Sequence, residues 1–276
     1  MNAIGIVLAV LMPLQQMAWD SVNKRMANAD PATDRFRFVN YPVEFTTRQS
    51  KFGEHKLNPR FWLKGVDFSC ASPWNSGGGR VRAGTAISKR HIVFSKHFPL
   101  WKNVRIVFVG EDGGECPCYI EATKEIDQSD IVVGLLNAEL TSNIKPAKIL
   151  PPDYVKYIGD GAGMPVVLFN QHEQVVLSSL QNISTNGVKP YAMRCVAPGD
   201  RSNDPFRKAI VGGDSGNPAF LLIGNEAILL FCLQGGGCGS GSALHLYRHE
   251  IQQAMNNLCP GYKLETFDFS RLIDRN

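Results

Sequence analysis

The segment Gly212-Gly213-Asp214-Ser215-Gly216-Asn217-Pro218 follows a polar stretch and precedes an apolar run over residues 219–223. At average residue frequencies, the four residues Gly-Asp-Ser-Gly would occur together in a chain of this length only roughly one time in a hundred. Glycines allow a tight turn. A serine on such a turn, with backbone N–H groups beside it, has the arrangement that acyl transfer requires. We therefore expect Ser215 to be a nucleophile that lies just before a buried strand.

Short β-branched or aromatic runs, separated by Gly, Pro, Asn and Asp, fill much of the chain before this segment. They cover residues 84–87, 92–95, 104–109, 131–136, 165–170 and 174–180. Closely spaced strands without intervening amphipathic helices are typical of barrels or sandwiches and disfavour a doubly wound α/β sheet. One clear helix is predicted over residues 245–258, where apolar side chains share a face before Pro260-Gly261. The pattern therefore predicts an all-β fold with a C-terminal helix.

The Gly-Asp-Ser-Gly segment and its strand resemble the nucleophile segment of trypsin- and chymotrypsin-like serine peptidases. In that family a histidine ends a segment of the pattern GTAISxxHVLTAAH. Residues 84–97 read GTAISKRHIVFSKH, which aligns over fourteen positions without a gap. The resemblance implies that His97 is the general base, which accepts the Ser215 proton on attack and returns it to the leaving amine.

The third residue of the family's triad is an aspartate that enters an apolar strand, in the pattern NDIALLxL. Residues 129–136 read SDIVVGLL, so the resemblance implies that Asp130 lies against His97 and fixes its tautomer. The order His97, Asp130, Ser215 is the order of the family. Residues 144–151, IKPAKILP, resemble its interdomain connection. We therefore expect two antiparallel β-barrels, over residues 60–145 and 146–276.

The same resemblance implies the roles of the residues around the serine. Gly213 and Ser215 match the residues whose backbone N–H groups form the oxyanion hole. Asp214 matches a buried acid that, in zymogen-activated relatives, pairs with an N-terminal amine released at an Ile-Val-Gly-Gly sequence. We do not expect activation by cleavage at such a sequence. We therefore expect another group, or the packing of the loop itself, to satisfy Asp214.

A specificity pocket is also implied by the resemblance. Its base would be Ala209, six residues before the serine, and one wall would be Leu233, Gln234 and Gly235. Because no acid stands at this base, an apolar or small side chain is favoured over Arg or Lys in the P1 residue of a substrate.

Composition and charge restrict the partners. The net charge is +4 and the basic residues are scattered, so we expect no nucleic-acid partner. Cys116-Pro117-Cys118 is one residue too tight for the usual zinc CxxC motif, so we expect no metal and no cofactor. We expect a monomeric enzyme whose partner is a protein or peptide substrate.

The N-terminal apolar run over residues 4–14 is shorter than the roughly 20 residues of a membrane-spanning helix. Its length suits a signal-peptide core, although no Lys or Arg precedes it. We predict a leader over residues 1–29 and an extended arm over residues 30–59; the alternative is a buried or amphipathic N-terminal segment.

The cysteine count also suggests export. Seven cysteines fit a secreted, periplasmic or cell-surface protein with a few disulfides and one unpaired thiol. Phe98 and Val211 stand where vertebrate members of the family have cysteines, so the disulfide scheme must differ from theirs.

Two other interpretations stay open. An α/β-hydrolase esterase also uses a serine on a sharp turn, but it needs Gly-x-Ser-x-Gly, and here Asn217 holds the last position; His245 or His249 would then be its histidine. The second is a protein that keeps the barrels, has lost catalytic activity and serves as a binding module. The presence of all three triad residue types counts against it.

Overall fold

The computed structural model describes residues 3–38, 55–73, 82–183, 192–196 and 204–273, with the side chains of the first helix described from residue 14 onward. Two β-sheets dominate it. The first sheet has the strand order β1-β2-β5-β4-β3. Its strands are β1 (Thr85–Ala86), β2 (His91–Ser95), β3 (Arg105–Val109), β4 (Glu115–Glu125) and β5 (Ile131–Leu136).

The second sheet has seven strands in the order β12-β9-β8-β7-β10-β11-β6. They are β6 (Lys148–Ile149), β7 (Pro165–Phe169), β8 (Val175–Ile183), β9 (Ala192–Val196), β10 (Pro218–Ile223), β11 (Glu226–Cys232) and β12 (Ser240–Ser242). Strand pairs are antiparallel in both sheets except β6 with β11, which are parallel. The predicted all-β architecture is confirmed. The α/β-hydrolase alternative is wrong, because the described sheets are not parallel sheets with crossover helices.

Helices are few in the described part of the chain. They are α1 (Ala3–Met26), α2 (Val155–Ile158), a 3-10 turn (Leu244–Tyr247), α3 (Arg248–Leu258) and α4 (Ser270–Ile273). The 3-10 turn and α3 together cover the predicted C-terminal helix, and Ile251, Ala254 and Met255 form its buried face. No helix among the described residues is both long and apolar enough to cross a membrane.

Each of the six runs predicted as strands overlaps a strand, and residues 219–223 lie in β10, but β4, β6, β9, β11 and β12 were not predicted. In β4, the longest of these five, the buried residues Cys116, Cys118 and Ile120 alternate with exposed ones. This period of two covers only three buried positions and has a proline, Pro117, at one of the exposed ones, so the sequence alone does not reveal the strand.

A shared core joins the two sheets. The Phe68 ring lies 5.2 Å from the Phe169 ring and 5.3 Å from the Phe220 ring, measured between centroids. Phe68 precedes the first sheet in the chain, whereas its two partners belong to strands of the second. The sheets are therefore held against each other by apolar packing, and their loops meet at a cleft.

The N-terminal helix packs on the second sheet. Leu14, Ala18 and Val22 are buried along one side of α1, and Trp19 Nε1 donates a hydrogen bond to the Gly163 carbonyl at 2.7 Å. Half of the segment predicted as a leader is thus part of the folded body. The leader and the domain boundaries stay predictions, and removal of residues 1–29 would take this packing away.

The segment predicted as an extended arm is also integrated into the fold where it is described. Thr33, Asp34 and Arg37 are buried. The Arg37 N–H donates to the Glu173 carbonyl at 3.1 Å, and Phe36 forms a bridge with Gln174. Residues 30–38 therefore extend the contacts of the second sheet.

The disulfides expected from the cysteine count are not formed. All seven cysteines lie in described parts of the chain, and all seven are free. Five of them are buried, so they act as small apolar side chains in the packing. Burial raises the pKa of Cys70 and of Cys232 to about 12. These two thiols therefore stay protonated at neutral pH.

Candidate active site

His97 and Asp130 are brought together by the pairing of β2 with β5. Ser95, the last residue of β2, pairs with Ile131, the first residue of β5. His97, which follows β2, and Asp130, which precedes β5, therefore lie at the same end of the sheet. Here the Lys96 N–H donates to the Asp130 carbonyl at 3.0 Å, which fixes the turn that carries His97.

The Asp130 carboxylate holds His97 at two points. Oδ1 accepts a hydrogen bond from the His97 backbone N–H at 2.8 Å, and Oδ2 lies 2.6 Å from Nδ1 of the ring. The Asp130 side chain is only 10% exposed. A carboxylate at Nδ1 favours the tautomer with the proton on that nitrogen and leaves Nε2 as a hydrogen-bond acceptor.

Ser215 completes the arrangement from the second sheet. Its Oγ lies 2.8 Å from His97 Nε2. The three side chains that the sequence singled out thus form one continuous chain of hydrogen bonds across the cleft. In this geometry Nε2 can accept the hydroxyl proton, which is the arrangement of an activated serine nucleophile.

Contacts that the sequence did not reveal tie the two sides of the cleft together. The Asp130 N–H donates to Ser242 Oγ at 3.1 Å, and Ser95 Oγ donates to the Leu233 carbonyl at 2.9 Å. Tyr247 Oη donates to the Gln128 carbonyl at 2.8 Å. Each bond joins a residue in or next to the first sheet to one in the second half of the chain, at the end of the first sheet that carries His97. Isolated Ser and Tyr residues carry no sequence pattern that could have predicted these bonds.

The loop that carries Ser215 depends on two glycines, one on each side of the serine. Gly213 and Gly216 have φ angles of +100° and +84°, a backbone conformation that side chains with a Cβ disfavour. A Cβ on Gly213 would also lie 2.6 Å from Gln171 Oε1. Among the described residues the Ser215 N–H has no hydrogen-bond acceptor, so it is available to one of the two oxyanion contacts that the family resemblance implies.

Asp214 is held by backbone amides. It is 1% exposed, and its carboxylate accepts hydrogen bonds from the Gln171 N–H at 2.9 Å and the Val211 N–H at 2.8 Å. The Ile-Val-Gly-Gly run of this chain, residues 210–213, belongs to the same loop. Asp214 is therefore satisfied within the fold, without a new N-terminal amine.

A small pocket of about 70 Å³ opens beside Ser215. Leu233, Gln234 and Gly235 line it, whereas Ala209 does not. Ala209 is exposed, whereas the next residue, Ile210, is buried and lines the pocket. Two hydrogen bonds between the backbones of Ile210 and Gly237, at 2.8 and 2.9 Å, close this side of the pocket.

The other histidines lie outside this arrangement. His55 Nδ1 lies 2.8 Å from Glu115 Oε1, and His245 is buried against the Tyr154 ring. His172 and His249 make no contact with the triad among the described residues. The described residues contain no group of three or more His, Cys, Asp or Glu side chains that could hold a metal ion.

Comparisons with known proteins place the fold. No family model matches the chain, and no curated protein matches it. Among solved structures, 735 chains are similar. Human heparin binding protein and a mutant of the same protein each match with a TM-score of 0.51 and 16% sequence identity, over 70% of this chain and 94% of theirs. The molecule therefore has the chymotrypsin-like fold, with a Ser, His and Asp constellation in its cleft. At this identity the likeness concerns the fold alone.

Proposed function

We propose that this protein is a serine endopeptidase that cleaves peptide bonds through an acyl-enzyme, with His97, Asp130 and Ser215 as its catalytic residues. The observation that carries the proposal is the continuous chain of hydrogen bonds from Asp130 Oδ2 through His97 to Ser215 Oγ, with separations of 2.6 and 2.8 Å. Each link has the length that proton transfer between positioned groups requires.

The reaction follows from these contacts. Ser215 Oγ attacks the carbonyl carbon of the scissile bond while its proton moves to His97 Nε2. The oxyanion that forms accepts hydrogen bonds from the backbone N–H groups of Ser215 and Gly213. The carbon–nitrogen bond then breaks, and His97 returns the proton to the leaving amine. A water molecule, deprotonated by His97, hydrolyses the acyl-enzyme and regenerates Ser215.

The size of the pocket beside Ser215 supports a preference for a small apolar P1 residue. Its volume is about 70 Å³, and Ile210, Val211 and Leu233 contribute apolar lining. None of its lining residues in the described part of the chain is an acid, so a basic P1 side chain would lose its hydration without gaining a partner.

The direct test is cleavage of a mixture of unstructured peptides, with products identified by mass spectrometry. The wild-type protein should cut at internal bonds after small apolar residues, and a Ser215→Ala variant purified in parallel should give none of these products. Identical products from both proteins would reveal a contaminating peptidase and contradict the proposal. The absence of cleavage by the wild-type protein would contradict it as well.

A non-catalytic binding protein is the second candidate. The observation in its favour is that the similar solved structures include a heparin binding protein. Retention of this protein on immobilised heparin at physiological salt, together with the absence of peptide cleavage, would favour it. The intact hydrogen-bonded triad is the observation that favours the enzyme.

A further inference from the structure

A second, larger cavity lies at the opposite end of the first sheet from His97. Its volume is about 500 Å³, within the range of small-molecule sites. His55, one of its lining residues, contacts Glu115, the first residue of β4. Glu125, the last residue of β4, pairs with Val132, close to the end of β5 that follows Asp130. At about 3.3 Å per residue, β4 is roughly 30 Å long, and the cavity and the triad lie at its two ends.

The wall of this cavity contains a buried cation. Arg37 is 4% exposed, and its guanidinium donates to the Ala71 carbonyl at 3.2 Å and to the Val109 carbonyl at 3.4 Å. It also lies 3.9 Å from the centroid of the Phe38 ring. The two bonds use two of its five N–H donors.

Among the residues that the structure describes, no Asp or Glu forms an ion pair with Arg37. Glu173, Asp67 and Glu111 act on it only over longer distances. Burial lowers the pKa of Arg37 to about 10, so the side chain stays charged at neutral pH. A buried charge without a counter-ion is costly, and an anion beside the guanidinium would offset that cost.

The rest of the lining restricts which anion fits. Leu57, Phe61, Val66 and Phe68 supply apolar surface. Glu111 and Asp112 also line the cavity, together with Lys56 and Lys64. Two acids beside two lysines give no net attraction for a polyanion such as a sulfated sugar, whereas one carboxylate on an apolar body suits both the buried guanidinium and the apolar walls.

We propose that this cavity binds a small monocarboxylate with an apolar body, its carboxylate on the Arg37 guanidinium. His55 also lines this cavity, and its buried Nε2 has no hydrogen-bond partner among the described residues. The site is distinct from the cleft between the sheets, and the proposal does not depend on the proposed peptidase activity.

Calorimetric titration of the protein with benzoate, benzyl alcohol and inorganic phosphate tests the proposed carboxylate site. Benzoate should bind saturably at one site, benzyl alcohol at least about tenfold more weakly because it lacks the charge, and phosphate not measurably. Equal affinity for benzoate and benzyl alcohol would overturn the proposal, and so would tighter binding of phosphate than of benzoate.

Three variants locate the binding. Arg37→Gln removes the cation and should weaken benzoate at least about tenfold. Because Arg37 is buried and this change could prevent folding, Leu57→Trp serves as an independent test; it fills the half-buried wall and should abolish binding. Lys124→Ala, exposed on β4 and outside the lining of the cavity, should change the affinity less than about twofold. Benzoate binding that survives Leu57→Trp, or that Lys124→Ala removes, would contradict the assignment.

Discussion

The first sheet brings two side chains to the cleft, whereas the second brings one side chain within a loop of backbone amides. His97 and Asp130 are fixed by direct bonds between named groups at paired strand ends. Ser215 is presented by a loop whose shape depends on positive φ angles at Gly213 and Gly216 and on two amides that hold Asp214.

Substitutions on the two sides should therefore reduce reactivity in different ways. A change on the first side should act through one side-chain bond, so the chemistry falls sharply while the fold is preserved. A change on the second side should act through the geometry of the backbone, so reactivity and stability fall together. Measuring reactivity and Tm together distinguishes the loss of a side-chain bond from the loss of backbone geometry.

The largest effect is expected on the first side. Asp130→Asn keeps the shape but presents an amide donor to His97 Nδ1, which favours the tautomer that cannot accept the Ser215 proton. We expect kcat/KM for a cleaved peptide to fall about 10⁴-fold with little change in Tm. Asp127→Asn, in the same turn but exposed, is the matched control. Equal activity of the two variants would contradict the role given to Asp130.

A smaller loss is expected on the second side from Asp214→Asn. The asparagine amide would face one of the N–H groups of Gln171 and Val211, and a buried pair of donors is unfavourable. We expect the rate of labelling of Ser215 by a fluorophosphonate to fall about 10²- to 10³-fold, together with a lower Tm. Asp153→Asn, on the surface of the same half of the molecule, should leave both unchanged. Wild-type reactivity in Asp214→Asn would show that the amide cage does not shape the loop.

Gly213→Ala tests the backbone directly. The φ of +100° costs an alanine about 1–3 kcal/mol, equivalent to a fall of about 10- to 100-fold in labelling rate if the loop relaxes. Gln171→Ala removes the contact with the new Cβ but leaves φ unchanged, so it should not restore the rate. Gly212→Ala is the control, because a Cβ there meets nothing within 4 Å. Full rescue by Gln171→Ala would mean that contact, not φ, limits the loop.

The smallest effect concerns stability, since each half of the molecule also buries one histidine. Burial lowers the pKa of His91 and of His245 to about 4. Between the unfolded pKa near 6.5 and this value, only the unfolded chain gains the proton, so stability is lost as pH falls. His245 packs on Tyr154 without a hydrogen bond from its ring to any described residue, so phenylalanine can replace it.

His245→Phe should therefore lose about 1 kcal/mol less stability than the wild type between pH 7 and pH 5.5. Urea unfolding at the two pH values measures this difference. His249→Phe, exposed on α3, should retain the wild-type pH dependence. If His245→Phe shows the full wild-type loss, His245 is not buried in its neutral form.

The same contrast explains what could be predicted from the sequence. His97, Asp130 and Ser215 were predictable because each is a specific side chain within a patterned segment before or after a strand. The amides of Gln171 and Val211 were not, because any residue supplies a backbone N–H. Ala209, expected at the base of a specificity pocket, lies outside the pocket beside Ser215 and Ile210 lines it instead, since a shift of one residue reverses which side chain of an extended segment faces inward.

Other parts were missed for different physical reasons. The strand β4 alternates too briefly around Pro117 to be recognised. The burial of α1 stood only as the alternative to a leader, because its buried residues Leu14, Ala18 and Val22 are spaced by four from within a run that is apolar on all sides. The buried Arg37 gives no signal in the sequence at all, because only the fold determines that it lies inside.

The measurement that tests the central claim most directly is the intact mass of the protein after treatment with a fluorophosphonate probe. The account predicts one adduct on the wild-type chain and none on Ser215→Ala or His97→Ala, since the hydroxyl must be activated through Nε2. An unmodified wild-type chain whose folding is verified by its thermal transition, or an adduct that persists in Ser215→Ala, would contradict it.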